Sequence, residues 1–224
     1  MSRFLLNKPL IIIGCGGHAS VLEDILISQN RYILGYTDDR PVIKYTSSPI
    51  LGNQEKILEY QPDQIKLVNG IGSVGYTKIR EYIFRKFKKL GYTFETIIHP
   101  SAIIATKVVI EEGGQIMAGT VIQPGVIIGA NSIINTKTSV DHDCVIGKHV
   151  HLAPGVTLSG NVHVERRCHV GTGATVIQGI HIGEAALVGA GALVNKNVKK
   201  GTKVIGVPAK EAAKGIRYQE EPHD

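Results

Sequence analysis

The 224-residue sequence predicts a small parallel α/β unit followed by a parallel β-helix, a triangular prism built from short strands and corners. Two observations lead to this fold class. In roughly the first hundred residues, buried apolar runs alternate with helical patterns, which is typical of a parallel sheet with crossover helices. From Ile98 to Val194 an aliphatic residue recurs at every sixth position without a break, a period that fits neither a helix nor one alternating strand.

The first half alternates strands and helices in chain order. The segment "PLIIIGCGGHASVLEDILISQ" predicts a buried strand, a glycine-rich turn and a helix, and "RYILGYTDD" a second strand that ends in two acids. A short helix in "NQEKILEY" and a third strand in "QIKLVNGIG" follow. The last helix, "YTKIREYIFRKFKKLGY", is amphipathic, with an apolar face predicted at Ile79, Ile83, Phe87 and Leu90. We therefore predict one small α/β domain over residues 1–97.

The second half is a run of hexads, each a short strand followed by small or turn-prone residues, as in "HLAPGV" and "LVGAGA". Three hexads make one 18-residue coil of a prism, and coils stacked about 4.8 Å apart pair their backbones with the coils above and below. The aliphatic column fills the interior. The series predicts about five coils over residues 98–200, with Pro100 marking the boundary, and a tail over residues 201–224.

Composition excludes several classes of protein. The net charge of +6 comes from scattered basic residues rather than from a stripe with interleaved aromatic side chains, so we expect no nucleic-acid partner. No apolar run approaches the roughly 20 residues of a membrane span, and "PLIIIG" is too short for a signal-peptide core. Three cysteines at spacings that fit neither a disulfide framework nor a zinc knuckle favour a reducing compartment. We expect a soluble, cytoplasmic protein.

The glycine-rich turn predicts a phosphate site. Gly14-Cys15-Gly16-Gly17-His18-Ala19 fits the G-x-G-x-x-A form of the dinucleotide fingerprint, and Asp38 follows at about the distance of a ribose-binding acid. The helix that begins here offers N–H groups and the positive end of its dipole to a phosphate. Fewer than a hundred residues make one mononucleotide-binding half, so a nucleotide diphosphate fits better than NAD. The alternative is a tight turn without a ligand.

In combination these features resemble one family. The "GxGGH" loop, the "YTDD" strand end, Ile71-Gly72 and the appended coils with "SVDHDCVIG...HLAPG" look like the sugar O/N-acetyltransferases with hexapeptide repeats. This family includes sialic acid O-acetyltransferases and N-acetyltransferases of nucleotide-linked 4-amino-4,6-dideoxy sugars of the bacillosamine type. The resemblance implies a Rossmann-like mononucleotide-binding unit, a left-handed β-helix, acetyl-CoA as co-substrate, and a homotrimer with active sites between subunits.

The resemblance also implies roles for individual residues. His142 matches the general base, Asp143 the carboxylate that orients it, and Gly160, one coil further on, the amide that stabilises the oxyanion. His151 matches a histidine that contacts the acetyl end of the cofactor, and Thr172 and Ala190 match positions that contact coenzyme A. The implied nucleotide-sugar site consists of Gly16, Gly17, His18, Asp38, Asp39 and Gly72. The glycine-rich "NGIGSVG" departs from the plainer turn of the family.

Other charged and histidine residues carry weaker predictions. Lys210, with Lys199, Lys200 and Lys203, lies where the prism ends and could contact the phosphates of coenzyme A, or could belong to a solvated tail. His149, His163, His169 and His181 are interpreted as outward strand residues. No two histidines stand five apart, so a carbonic-anhydrase-like metal site is not expected. Three functions stay open: sugar N-acetylation, O-acetylation of a sialic or legionaminic acid type sugar, and a non-catalytic nucleotide-sugar-binding scaffold.

Overall fold

The first domain is a four-stranded parallel sheet in a computed structural model that describes residues 8–40, 47–73, 75 and 78–212. Its strands are β1 (Leu10–Ile13), β2 (Ile33–Thr37), β3 (Ile50–Gly52) and β4 (Lys66–Asn69), in the order β3-β2-β1-β4. Helices α1 (Gly17–Ser28) and α2 (Lys78–Lys89) and a 3₁₀ helix (Gln54–Glu59) complete it. The sequence did not predict β3, because three half-buried residues at a sheet edge give too short a pattern.

Helix α2 buries more than its predicted apolar face. Ile83 and Phe87 are buried as predicted, but Ile79 and Leu90 are about half exposed. Arg80 and Phe84 are buried instead, because α2 lies between the sheet and the prism and packs on both. The polar residues of this second face could not be distinguished from solvated ones in the sequence.

The second domain is the predicted prism. Seventeen two-residue strands, β5 (Ile97–Ile98) to β21 (Leu193–Val194), form three parallel sheets. Face 1 contains β5, β8 (Gln115–Ile116), β11 (Ile133–Ile134), β14 (His151–Leu152), β17 (His169–Val170) and β20 (Leu187–Val188). Face 2 contains β6 (Ile103–Ile104), β9 (Val121–Ile122), β12 (Ser139–Val140), β15 (Thr157–Leu158), β18 (Thr175–Val176) and β21. Face 3 contains β7 (Val109–Ile110), β10 (Ile127–Ile128), β13 (Val145–Ile146), β16 (His163–Val164) and β19 (His181–Ile182).

The predicted aliphatic column lies inside the prism. The second residue of each strand points inward, and from Ile116 to Val194 every one is buried in a single hydrophobic cluster. At the corners, one residue in six adopts a positive φ without interruption from Lys107 to Gly191. Glycine, asparagine and aspartate adopt this left-handed conformation at the lowest steric cost, which explains why they occupy most of these corners.

The first domain packs against face 1. Ile97, Met117 and Ile133 of this face share a hydrophobic cluster with α1 and β1. At the far end, β22 (Lys203–Ile205) pairs with β20, and β23 (Lys210–Glu211) pairs with β22. The described part of the predicted tail therefore extends the sheet of face 1 beyond β20. Within the described ranges, neither helix is long and apolar enough to cross a membrane.

Candidate active site

His142 lies at the corner between faces 2 and 3, immediately after β12. Its backbone N–H donates to Asp141 Oδ1 at 2.8 Å, and its Nδ1 lies 2.9 Å from Asp143 Oδ2. Asp143 is the corner residue with a positive φ of 58°, a conformation that aspartate tolerates. The side chain of His142 is 59% exposed, so its ring is available to a ligand.

The contact with Asp143 determines what His142 can do chemically. A carboxylate accepts hydrogen bonds, so Nδ1–H donates to Asp143 and Nε2 carries the lone pair. The hydrogen bond to Asp143 and the nearby negative charge of Asp141 raise the pKa of His142. His142 is therefore a more basic imidazole than usual, with its acceptor nitrogen turned away from the carboxylate.

Two glycines make room for this pair. A Cβ on Gly160, one coil after His142, would lie 2.6 Å from both Cε1 and Nε2 of the ring. A Cβ on Gly125, one coil before Asp143, would lie 2.5 Å from Asp143 Oδ1. The ring thus lies against Gly160 rather than a whole coil away, because the imidazole extends along the prism axis. The N–H of Gly160 has no acceptor in the described part of the chain.

The glycine loop lies on the other side of the prism, next to face 1. Gly16 is the N-cap of α1 and has no capping side chain, so the first N–H groups of the helix have no side-chain acceptor from that residue. Within the described ranges, a Cβ on Gly17 would meet no atom within 4 Å. The geometry therefore leaves open space in front of the helix N-terminus, where an anion is favoured.

The acid pair after β2 is held by the loops around it. Asp38 Oδ2 accepts hydrogen bonds from the N–H and the thiol of Cys15, and Arg40 donates to both carboxylate oxygens. Burial alone raises the pKa of Asp38, but the hydrogen bonds from Arg40 and Cys15 outweigh it and hold this pKa below its ordinary value. Asp39 accepts from the backbone and side chain of Gln54. Asp38 thus ties the glycine loop to the end of β2.

His18 and Gly72 lie against each other at the carboxyl ends of the strands. A Cβ on Gly72 would lie 3.1 Å from His18 Cβ, so a larger residue there would push against the histidine. His18 Nε2 is 2.8 Å from Gln115 Oε1 of face 1. Burial and the charge of Arg80 lower the pKa of His18 to about 4, so the ring is neutral.

His151 is buried on face 1, beside the loop that follows β4. Its Nδ1 is 3.0 Å from the carbonyl oxygen of Ser73 and 2.7 Å from Ser73 Oγ, and Asn135 Nδ2 donates to Nε2. Burial holds the pKa of His151 well below its ordinary value, with a smaller effect from neighbouring positive charge. In one chain this histidine lies on a different side of the prism from His142. Its predicted contact with the cofactor stays a prediction.

The predicted coenzyme A residues line another edge. Thr172 and Ala190 are exposed at the corner between faces 1 and 2, one coil apart. Lys210 is exposed in β23, near the end of the prism. The three positions thus follow one edge and its end, and their role stays a prediction.

The four histidines interpreted as outward strand residues divide into two groups. His163 and His181 are exposed on face 3, as predicted. His169 and His149 are covered rather than exposed: His169 forms an edge contact with His151 and His149 with Phe84, at centroid distances of 5.0 and 5.7 Å. Burial is the main cause that lowers the pKa of each to about 4. In the described ranges no group of three or more His, Cys, Asp or Glu could hold a metal ion.

Sequence reasoning did not single out Arg80, Gln115 or Asn135. Gln115 is hydrogen-bonded to Arg80 and His18 across the junction between the domains, and Asn135 donates to His151 within the prism. The only signal was polarity at unusual places, such as glutamine at the first position of a face 1 strand where its coil neighbours are isoleucine. A polar residue at such a position indicates a particular contact only when the residue that it bonds to is known.

A triangular prism of hexapeptide coils, with an exposed histidine–carboxylate pair at one corner and a nucleotide-type loop on the opposite face, defines a hexapeptide acyltransferase. Residues 9–87 match the family model of the PglD N-terminal domain, and residues 125–160 match that of bacterial transferase hexapeptide repeats. The chain belongs to the sugar acetyltransferases of the left-handed β-helix type.

Solved structures support this assignment over most of the chain. The acetyltransferase domain of PglB from Neisseria gonorrhoeae FA1090 is 32% identical, with a TM-score of 0.85 over 92% of this chain and 100% of that one. PerB from Caulobacter crescentus, solved with CoA and GDP-perosamine, is 34% identical, with a TM-score of 0.86 over 92% of this chain and 98% of that one. The PglB domain has also been solved with acetyl coenzyme A.

A curated relative matches a shorter segment. The acyl-[acyl-carrier-protein]–UDP-N-acetylglucosamine O-acyltransferase of Aliivibrio fischeri strain MJ11 is 34% identical over 79 residues, or 35% of this chain. The match spans 28% of the length of that enzyme.

Proposed function

We propose that this protein is an acetyl-CoA-dependent acetyltransferase whose acceptor is the amino group of a nucleotide-linked 4-amino-4,6-dideoxy sugar. The observation that carries the proposal is the corner at His142. There a basic imidazole, held by Asp143, places Nε2 against Gly160, whose N–H has no acceptor in the described part of the chain. A base and an oxyanion donor side by side are what acyl transfer from a thioester requires.

The proposed reaction proceeds through a ternary complex. The sugar amine attacks the thioester carbonyl carbon while His142 Nε2 takes a proton from the amine. The Gly160 N–H stabilises the oxyanion of the tetrahedral intermediate. The C–S bond then breaks, and the proton on His142 passes to the departing sulfur, which leaves as the free thiol of coenzyme A. Asp143 stabilises the transient imidazolium and keeps Nε2 oriented.

The nucleotide-sugar is proposed to bind at Gly16, Gly17, His18 and Gly72, with Asp38 and Asp39 at the adjacent strand end. Support comes from the open helix N-terminus at Gly17 and from the match to PerB, which was solved with GDP-perosamine. Coenzyme A is proposed to follow the edge of Thr172 and Ala190 towards Lys210, with His151 near the acetyl group. Support comes from the CoA and acetyl coenzyme A complexes of the two similar structures.

The test of the proposed function is a panel of acceptors with acetyl-CoA, read by release of the thiol. The panel contains UDP-, GDP- and dTDP-linked 4-amino sugars and, for the alternative, free sialic and legionaminic acids. Turnover of one of the 4-amino sugars supports the proposal. Turnover of the acids alone establishes O-acetylation instead. No turnover with any member would overturn the enzyme assignment and favour a nucleotide-sugar-binding scaffold.

Replacement of Gly17 by valine tests the nucleotide-sugar site. The side chain would meet no atom of the described part of the chain within 4 Å of its Cβ, so the fold should be retained. We expect affinity for the nucleotide-sugar to fall about 10- to 100-fold, the cost of one or two hydrogen bonds to a charged group, while coenzyme A binding is nearly unchanged. Calorimetry with each ligand measures both.

The contrasting variant is Gly70→Ala, whose Cβ would lie 2.8 Å from Ala19 Cβ and from Ile13 O. It should lower the thermal stability and both affinities together. If Gly17→Val binds the nucleotide-sugar as the parent does, the glycine loop is not part of the binding site. If its affinities for both ligands fall equally, the substitution has damaged the fold.

We also propose a homotrimer with active sites between subunits. In one chain, the corner of His142 lies opposite face 1, where the glycine loop and His151 are found. One chain therefore cannot join the two halves of the site, whereas a ring of prisms brings the corner of one subunit to face 1 of the next. Next to this corner, Val109 and Ile127 expose aliphatic side chains on face 3.

Ile127→Lys should dissociate the proposed trimer, because it introduces a charge into an aliphatic contact. We expect the mass measured by light scattering to fall from that of a trimer to that of a monomer of about 24 kDa, and most of the activity to be lost. Leu58→Lys, at an even more exposed aliphatic residue of the first domain, is the matched control and should change neither the oligomeric state nor the activity. A fully active monomer would contradict the shared site.

A cytoplasmic location is part of the proposal. The three cysteines lie within the described ranges, all are buried thiols, and burial is the main cause that raises the pKa of each. Such thiols persist in a reducing compartment.

A further inference from the structure

A buried hydrogen-bond network connects the two domains beneath His18. Arg80 of α2 is buried and donates to the carbonyl oxygens of Asn69 and Ile71, at 2.9 and 2.7 Å, and to Gln115 Oε1 at 3.0 Å. No carboxylate pairs with it within the described ranges. A buried cation without a counter-charge is costly to maintain, so this network calls for a functional explanation.

The network fixes the orientation of Gln115. A guanidinium only donates, so the atom facing Arg80 is the amide oxygen. A backbone carbonyl only accepts, so the atom 2.9 Å from the Asn69 oxygen is the amide nitrogen, Nε2. The two contacts agree on the same orientation, and a flipped amide would break both.

The oxygen of Gln115 in turn fixes the tautomer of His18. His18 Nε2 lies 2.8 Å from Gln115 Oε1, and this oxygen can only accept, so Nε2 carries the proton. Because the ring is neutral, Nδ1 carries a lone pair. No group within the described ranges donates to Nδ1, and Nδ1 is not among the buried atoms without a partner.

The residue that carries this lone pair lies at the helix N-terminus of α1. His18 is the second residue of α1, one residue after Gly17, and it is only half buried. A phosphate brings acceptor oxygens and suits the helix N–H groups, but it repels a second acceptor. A lone pair here suits a donor beside the phosphates.

We propose that Arg80 and Gln115 hold His18 in its Nε2–H tautomer, so that Nδ1 accepts a hydrogen bond from a hydroxyl or amino group of the nucleotide-sugar beside its diphosphate. Arg80 and Gln115 act as positioning residues, and His18 selects for a donor. The choice of ligand rests on the proposed function, whereas the tautomer does not. A site built to accept a hydrogen bond from its ligand discriminates against ligands that lack the donor.

The tautomer is tested without any ligand, by the nitrogen NMR shifts of His18 in protein labelled on histidine. We expect a neutral ring protonated at Nε2 across the neutral pH range. Gln115→Glu puts a carboxylate beside the ring and should convert it to the imidazolium at neutral pH. A neutral ring protonated at Nδ1, or an imidazolium in the parent protein, would overturn the proposal, whatever the substrate proves to be.

The acceptor is tested with a matched pair of variants. Asparagine puts a polar atom near the position of Nδ1, and glutamine puts one near the position of Nε2. We expect His18→Gln to keep its thermal stability but to bind the nucleotide-sugar about tenfold more weakly, and His18→Asn to bind it like the parent. Gln115→Glu should also bind it more weakly, because Nδ1 then carries a proton.

Free UDP, GDP and dTDP are measured beside the sugar-linked forms. If His18→Gln weakens the binding of both the free nucleotide and its sugar-linked form, the donor is a ribose hydroxyl. If it weakens the binding of the sugar-linked form alone, the donor belongs to the sugar. Parental affinity of His18→Gln for every ligand, or equal losses in both variants, would overturn the acceptor role. His163→Gln, at an exposed histidine on face 3, is the control for the substitution itself.

Discussion

His142→Ala should lower kcat by about 10² to 10⁴, the usual cost of losing a general base, while the protein keeps its stability and binds both substrates. Stability is retained because the side chain is exposed at a corner and contributes nothing to the aliphatic column. An amine can deprotonate in solvent, so the residual activity of the variant should rise with pH more steeply than that of the parent. Steady-state kinetics across pH, with calorimetry for binding, measure both effects.

The pH profile gives the role of Asp143. A base works in its neutral form, so activity is lost as the pH falls through the pKa of His142, which Asp143 and Asp141 raise above its ordinary value. Asp143→Asn removes the main cause of that rise and should move the acidic limb to lower pH. Its kcat should lie between those of the parent and His142→Ala, because the imidazole is present but less basic and less well oriented.

His163→Ala, at an exposed histidine of face 3, is the control and should have parental kinetics. If His142→Ala kept a near-parental kcat at neutral pH while His151→Ala abolished activity, His151 would be the base.

Gly160→Ala is expected to be nearly as damaging as His142→Ala, although it adds only one methyl group, at a glycine that is buried beside the ring of His142. The new Cβ would lie 2.6 Å from Cε1 and Nε2 of His142, and the exposed ring can swing away to relieve this contact. Gly160 does not have a positive φ, so alanine causes no backbone strain there. We expect parental thermal stability and a loss in kcat of about 10² to 10³, because the base is displaced and the oxyanion position is crowded.

A double-variant cycle separates these two causes. If alanine acts only by moving the ring, His142→Ala with Gly160→Ala is no worse than His142→Ala alone. A further loss in the double variant measures damage at the oxyanion position. Gln178→Ala, at the same corner one coil further on and exposed, is the matched control and should leave kcat unchanged. Parental activity of Gly160→Ala would contradict the proposed arrangement of His142 and Gly160 around the reacting carbonyl.

The prism was predictable from sequence because its rules are local. Each hexad carries its own inward aliphatic residue and its own corner, so the interior column from Ile98 to Val194 and the corner of His142 follow from spacing alone. Gly160 was predicted at the same corner because 18 residues separate it from His142. The closeness of the imidazole to that glycine was not predictable, since it depends on the rotamer of one exposed ring.

The junction between the domains was not predictable, because it depends on contacts between distant segments. Nothing in the sequence singled out Arg80, and only the structure shows that it is buried and bonded to Asn131 O and Gln115. The same applies to His151: its spacing predicted a strand residue, but its partner Ser73 comes from the other domain, 78 residues away. Polar residues that meet across a junction have no periodic signature.

The corner geometry converts distance along the chain into angle around an axis. Six residues correspond to a turn from one face to the next, and eighteen to a complete circuit, so the site depends on spacing counted modulo eighteen. Six residues inserted between His142 and Gly160 would preserve the interior column yet carry the glycine to a different corner. Whole circuits added beyond the last corner of the site would lengthen the molecule without changing any angle within it. Hexapeptide chains can therefore vary in length in units of one circuit, while shorter changes inside the site separate its residues.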